Sequence, residues 1–246
     1  MNKKIIVVVV AAIIMILCLF SGIIKLYFPG RDKKAVIVAQ EYLDTNYEQS
    51  MNYLSVETFF EPACYNVWFN PKDNTDIKFY VRVSPELSIY SENYIESKIV
   101  YAIESQLQEE INNIYNNADV LAIFNSSLKN DNIPEEFSLD EIKSIIDGRY
   151  RILITETNDI NENNYHQEMN NIYEVVRLLY DKKINASNIS FRAKSYINYE
   201  SNAKEKNTLL YFSLEEDMLS QISAPEDLYP YIEAAIKNLD SDKPQK

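Results

Sequence analysis

The sequence predicts an α+β protein: an N-terminal transmembrane helix followed by two small α+β units, with helices packed on largely antiparallel sheets. Three observations predict it. Ile5–Ile24 is an unbroken apolar run without a charge. Two neighbouring segments, Tyr65–Asn70 and Ile77–Val83, alternate apolar and polar residues with the period of a strand. Several longer segments repeat apolar residues at three-to-four spacing, the period of a helix.

The apolar run comes first. Twenty residues at about 1.5 Å each span about 30 Å, the thickness of a hydrocarbon core. Lys25 can extend toward water, Tyr27 and Phe28 suit the interface, and Pro29-Gly30 ends the helix, so the anchor is expected over residues 5–28. A cleaved signal peptide fits worse, because the run is long and no small-x-small site follows it. A lipoprotein fits worse too, because Cys18 follows Met15-Ile16-Leu17 rather than a small residue. A core helix would carry an amphipathic stripe, and this run is apolar all round. Lys3 and Lys4 favour an N-terminus on the inside, although Lys25, Arg31, Lys33 and Lys34 weigh on the other flank. A short lysine-bearing start before a long apolar run reads as an uncleaved export signal, which puts residues 1–4 in the cytoplasm and the soluble part outside it.

Residues 29–34 read as a linker, and residues 35–125 as the first α+β unit. Ala35–Tyr47 predicts a helix with Val36, Ala39, Tyr42 and Leu43 on one face. Tyr53–Phe60 is a weaker strand. The two alternating runs, joined by Pro-Lys-Asp-Asn-Thr-Asp, predict an antiparallel hairpin. Ser91 is positioned as the N-cap of a helix reaching Asn117, striped by Ile95, Ile99, Ile103, Leu107, Ile111 and Ile114. Residues 126–137 connect to a second unit over 138–240. Ser138-Leu-Asp-Glu141 predicts a capping box and Gly148 the end of that helix. Arg149–Glu156 predicts a strand, and Asn161–Lys183 a helix striped by Tyr165, Met169, Ile172, Val176 and Leu179. Strands are expected over Asn188–Tyr199 and Asn207–Leu214. Ser223-Ala-Pro-Glu226 predicts a second capping box, opening a helix through Leu228, Tyr231, Ile232, Ala235, Ile236 and Leu239. Residues 241–246 are expected to be a loose tail.

Ala39-x-x-Tyr42-Leu43 with Tyr47, then the hairpin, then Glu92-Asn93-Tyr94 opening a long helix, resembles the YfjL-like proteins, small single-span Gram-positive membrane proteins of unassigned function. The resemblance covers the first half of the soluble part, and the second half by element order. It implies an extracytoplasmic α+β module and carries over no functional residue.

Charge and rare residues exclude whole classes of chemistry. The chain holds 37 acidic and 24 basic residues, and all the acids lie after residue 30, so the soluble part carries 21 − 37 = −16. Such a field repels nucleic acid, and no nucleic-acid partner is expected. Cys64 is the one cysteine beyond the apolar run, which removes an intramolecular disulfide framework and a thiolate zinc site. A nucleophile or an intermolecular bridge is its functional reading; a small buried apolar residue, with no disulfide-linked partner expected, is the preferred one. Of three glycines only Gly148 lies past residue 30, so no phosphate-cradling loop exists and no cofactor is expected. His166 is the sole histidine and reads as a surface residue.

Carboxylates are the remaining catalytic currency. A hydrolase acting on cell-envelope polymers would need two of them flanking a cleft, and Glu57, Glu61 and Glu156 lie in or near strands, where solvated edge positions explain each of them better. Asp73-Asn74-Thr75-Asp76 and Asp159-Ile160-Asn161-Glu162 group oxygen donors of the kind calcium takes, without EF-hand spacing; turn and cap roles explain both. Nineteen tyrosines are the last unusual feature. Trp68, Tyr80 and Tyr90 fall off the core stripes and are the candidate interaction surface, on the outer face of the first hairpin; cover by a helix or by the second unit is the competing, and preferred, explanation of these rings. The expected role is an extracytoplasmic binding or accessory module that contacts the bilayer through residues 5–28 and a protein partner at the cell envelope. The hydrolase is the alternative.

Overall fold

The computed structural model describes residues 30–115, 118–128, 131, 133–156, 160–161, 164–182, 184–193, 196–197 and 211–232. The anchor expected over 5–28 lies outside them. Among the described residues no helix is long and apolar enough to cross a membrane. What they show is an α+β fold of helices and mainly antiparallel sheets, in two compact units, Met1–Lys98 and Ile99–Lys246.

The first unit opens with α1, Arg31–Asn46. The helix begins four residues earlier than the apolar stripe predicts, so the Arg-Asp-Lys-Lys segment read as linker is its first turn. Gly30 makes this possible by taking the left-handed conformation at φ 79°, and Asp32 faces the positive end of the helix dipole. Ala35, Ala39 and Leu43, four apart, are fully buried. Beneath them lies a four-stranded antiparallel meander in the order β1 (Met51–Phe60), β2 (Ala63–Pro71), β3 (Phe79–Val83) and β4 (Ile89–Glu92).

The alternation of β2 and β3 sorts as the pleat demands. Tyr65, Val67, Phe69, Phe79, Val81 and Val83 are fully buried in one cluster with the α1 residues. Ser91 is not a cap. It pairs with Arg82 inside β4, and the next helix, α2 (Tyr94–Ile114), starts instead at Glu92 and Asn93. Glu92 accepts from the Tyr94 amide at 2.5 Å, and the Ser97 amide donates to the Asn93 carbonyl at 2.9 Å.

The second unit is built on a sheet in the order β10 (Tyr211–Glu215), β8 (Asn188–Ala193), β6 (Tyr150–Glu156), β5 (Ala118–Phe124). Its pairs are antiparallel except β6 with β8, which run parallel as a crossover through a helix requires. That helix is α4, Tyr165–Asp181, with Met169, Ile172, Val176 and Leu179 buried. The sequence reading leaves β5 without an assignment and places residues 35–125 together, yet β5 is an edge strand of this second sheet. Asn188–Tyr199 is not one strand: β8 ends at Ala193, and Tyr196–Ile197 (β9) pairs in parallel with Ile160–Asn161 (β7) in a separate ladder. Asn161 is therefore a strand residue rather than the start of α4.

Caps behave as local chemistry requires. The box predicted at Ser138 is present at the start of α3, Leu139–Ile146, with the Ser138 amide donating to Glu141 at 2.7 Å and the Glu141 amide to the Ser138 hydroxyl at 3.3 Å. The second box is displaced by one residue. Asp227, not Glu226, accepts from the Ser223 and Ala224 amides, at 2.8 and 2.9 Å. Pro225 starts a 3-10 turn, Pro225–Leu228, and the tighter winding brings Asp227 back to the amides. The part of this helix expected after Ile232, and the turn over residues 201–206, lie outside the described residues.

The edge of β5 is closed by side chains. Gln108 donates to the Ala118 carbonyl at 2.6 Å and accepts from the Val120 amide at 3.1 Å, and Glu104 accepts from the Ala122 amide at 2.8 Å. Four helical residues rise about 6 Å and two strand residues about 6.6 Å, so the pair at 104 and 108 matches the outward-facing groups of the strand. Half-burial raises the Glu104 carboxyl above its ordinary range, and the Ala122 amide opposes this.

Two outcomes follow from this architecture. Trp68 is the only tryptophan and reports on the first sheet. Phe79→Ala should lower the urea-unfolding free energy followed by Trp68 fluorescence by about 3–5 kcal/mol, the usual cost of emptying a buried phenylalanine site. Glu104 has its pKa raised by folding, so the stability it contributes is full below its unfolded pKa and is lost as pH rises through the folded one. Glu104→Gln keeps the acceptor for Ala122 and removes the charge. Thermal melts should show the variant more stable than the parent at pH 7, and the difference should vanish below about pH 4, where both side chains are neutral.

Candidate interaction surface

The face of the first sheet turned away from α1 carries the other half of the alternation. Residues opposite one another in an antiparallel ladder share a face, and the register pairs Trp68 with Tyr80, Asn66 with Arg82, and Glu57 with Asn66. These five side chains form a connected group. The Trp68 and Tyr80 rings meet edge to face, with centroids 5.5 Å apart and planes at 74°. The indole N–H of Trp68 donates to Glu57 Oε2 at 3.0 Å. The Arg82 guanidinium lies over the Tyr80 ring, 5.1 Å from its centroid, and Arg82 Nε donates to Asn66 Oδ1 at 3.0 Å. Each member is held by the next, which limits the rotamers open to Trp68, Tyr80 and Arg82.

The surroundings fasten the group to the backbone. Asn66 is only 4% exposed. Asn70, also buried, donates to the Thr75 carbonyl and accepts from Asn52, both at 3.1 Å, and so ties the β2–β3 connection to two strands. Cys64 is buried beside them, its Sγ 3.9 Å from Asn66 Oδ1. Burial pushes its thiol above the ordinary range, and the Arg82 charge partly offsets this.

Of the three residues singled out from the sequence, the structure brings Trp68 and Tyr80 together and leaves Tyr90 apart. Arg82 faces Ser91 while Val83 faces Ile89, so Tyr90 sits at a bulge in β4, 61% exposed and outside the ring pair. The residues missed are Arg82 and Asn66. Their signal was the same alternation, which places them on the Trp68 face once β2 and β3 are paired.

The other candidates are placed as follows. Glu57 is engaged by Trp68, Glu61 is exposed in the turn joining β1 to β2, and Glu156 ends β6, with its side chain outside the description. In the Asp73–Asp76 segment Asn74 Oδ1 accepts from the Asp76 amide at 3.2 Å, a turn contact. Asp159 and Glu162 lie outside the described residues. Among those described, no group of three His, Cys, Asp or Glu side chains is placed to hold a metal. His166 is exposed, its Nδ1 3.1 Å from the Tyr229 hydroxyl. In the second unit a shallow cavity of about 60 Å³ is lined by residues including Ile103, Lys143, Asp147, Tyr150 and Lys182. That is room for about two waters. Burial, and then the Asp147 charge, push the Tyr150 hydroxyl up.

No known protein family matches the chain, and no curated protein matches it. Among solved structures it is similar to a DUF5037 family protein from Ruminococcus gnavus, at 13% identity and a TM-score of 0.47, over 72% of this chain and 89% of that one. A likeness of that degree assigns no role.

The raised Cys64 thiol can be read directly. In a Cys18→Ser background, alkylation of Cys64 by iodoacetamide should rise with pH later in the folded chain than in urea, because less thiolate is present at any given pH. Arg82→Gln removes the opposing charge and should move the folded profile to still higher pH.

Proposed function

We propose that this chain is a non-enzymatic accessory module, anchored by residues 5–28 with its soluble part outside the cytoplasm, that meets a protein partner through the outer face of the first sheet. The observation that carries the proposal is the linked group Glu57–Trp68–Tyr80–Arg82–Asn66. Tryptophan, tyrosine and arginine are the residue types that dominate binding energy at protein interfaces, above all where they are rigid before the partner arrives. Here the rings and the guanidinium are already held. Among the described residues Arg82 commits only its Nε, to Asn66, which leaves its two terminal nitrogens as a fork for a carboxylate on the partner. Glu57 offers the complementary charge on the same face.

The role is the kind of membrane-held module that the YfjL-like resemblance implies. It also accords with the −16 charge of the soluble part, which suits a protein partner with basic surface better than a nucleic acid.

The test is crosslinking with mass spectrometry on intact cells, paired with protease shaving. Trp68→Ala and Tyr80→Ala should each remove the crosslinked partner while the chain stays shaving-sensitive and folded. An unchanged set of crosslinked neighbours in both variants overturns this surface.

A further inference from the structure

The cavity of the second unit forms where α3 turns into β6. Gly148 takes the left-handed conformation there at φ 69°, and its amide donates to the Asn185 carbonyl at 2.7 Å. Asp147 precedes that turn and Tyr150 follows it, and both line the cavity. Ile103, Leu139 and Ile146 supply apolar wall, while Lys143 and Lys182 bring ammonium groups to it.

Tyr150 is the unusual member of this lining. The residue is 3% exposed, and its ring packs beside Phe124 with centroids 5.9 Å apart. A phenol held that deep ordinarily finds a hydrogen-bond partner. Among the described residues the Tyr150 hydroxyl has none, although the main-chain carbonyl of the same residue accepts from the Ser187 amide at 2.8 Å. The hydroxyl is not sealed from solvent, so it opens onto the cavity that the residue lines. Burial, and then the Asp147 charge, keep it protonated, which leaves it a hydrogen to donate.

Charge narrows the choice of occupant. Lys182 Nζ meets Glu110 at 2.6 Å, and Asp147 Oδ2 accepts from Asn185 at 3.2 Å. What the walls present is a phenol O–H, lysine ammonium hydrogens and a carboxylate oxygen of Asp147. A lone carboxylate would sit near Asp147, and a lone ammonium near two lysines. A molecule that carries both charges on one carbon meets each with its opposite. Room for about two waters takes a carboxylate group, and the shallow opening lets the rest of the molecule lie outward.

We propose that this cavity binds a free α-amino acid, its carboxylate taking the Tyr150 O–H and the Lys143 ammonium and its own ammonium group meeting Asp147. The side chain stays outside, so the cavity selects the class of ligand and not one member of it. The site goes beyond the partner surface of the first unit and uses none of its residues.

Glycine, the smallest member of the class, is the probe, titrated calorimetrically into the full-length chain in detergent micelles. Acetate and methylamine, with one charge each, are the controls. Tyr150→Phe removes the phenol oxygen and keeps the ring beside Phe124. Asp147→Asn removes the charge and keeps an acceptor for Asn185. Circular-dichroism melts show whether both variants fold. The expected result is glycine bound by the parent and at least about tenfold more weakly by each variant, the loss of one charge-assisted hydrogen bond. Acetate and methylamine should each bind more weakly than glycine by a similar factor. No glycine binding by the parent overturns the proposal, as does glycine binding that a folded Tyr150→Phe or Asp147→Asn leaves unchanged. Acetate held as tightly as glycine overturns the doubly charged occupant. Should one variant not fold, the other variant and the two controls decide.

Discussion

The first unit depends on one packing contact, the seating of α1 across the inner face of the β1–β4 sheet. Ala35 and Ala39 are small enough to let the helix approach closely, and Leu43 fills the space beyond them. All three are sealed from solvent, as are the six apolar residues of β2 and β3 that they cover. Because side chains alternate along a strand, burying one set obliges the other set to face away. Trp68, Tyr80, Arg82 and Asn66 are consequently presented by the helix on the opposite side of the sheet.

The two sheets manage their edges differently. In the second unit Glu104 and Gln108 supply the hydrogen bonds that a neighbouring strand would have made to β5, at the cost of holding a half-buried carboxylate. In the first, β1 ends the sheet and keeps Tyr53, Leu54, Phe59 and Phe60 substantially exposed.

The interaction surface draws its character from mutual restraint. Alone, Trp68 on a sheet face would be a large ring with several rotamers. With Glu57 on its N–H and Tyr80 at its edge it has one neighbourhood, and Tyr80 in turn has Arg82 above it. Ordering done in the free protein need not be done again on binding. Tyr90, which makes no part of this arrangement, shows the contrast: it sits at the bulge in β4, turned to solvent.

Periodicity alone determined the helix stripes, the β2–β3 hairpin, the Ser138 capping box and the assignment of Trp68 and Tyr80 to one face. These are local regularities, set by a backbone repeat of 3.6 or 2 residues and by one side chain reaching its own helix end. Only the tertiary structure decided the rest. Ser91 became a strand residue because Arg82 lay opposite, and β5 joined the second sheet because β6 and the Gln108 side chain were there to satisfy its backbone. Asn66 and Arg82 joined the site because the register brought two separate strands together. Each of those outcomes depends on a partner distant in the chain, and spacing along a single segment carries no record of which partner that will be.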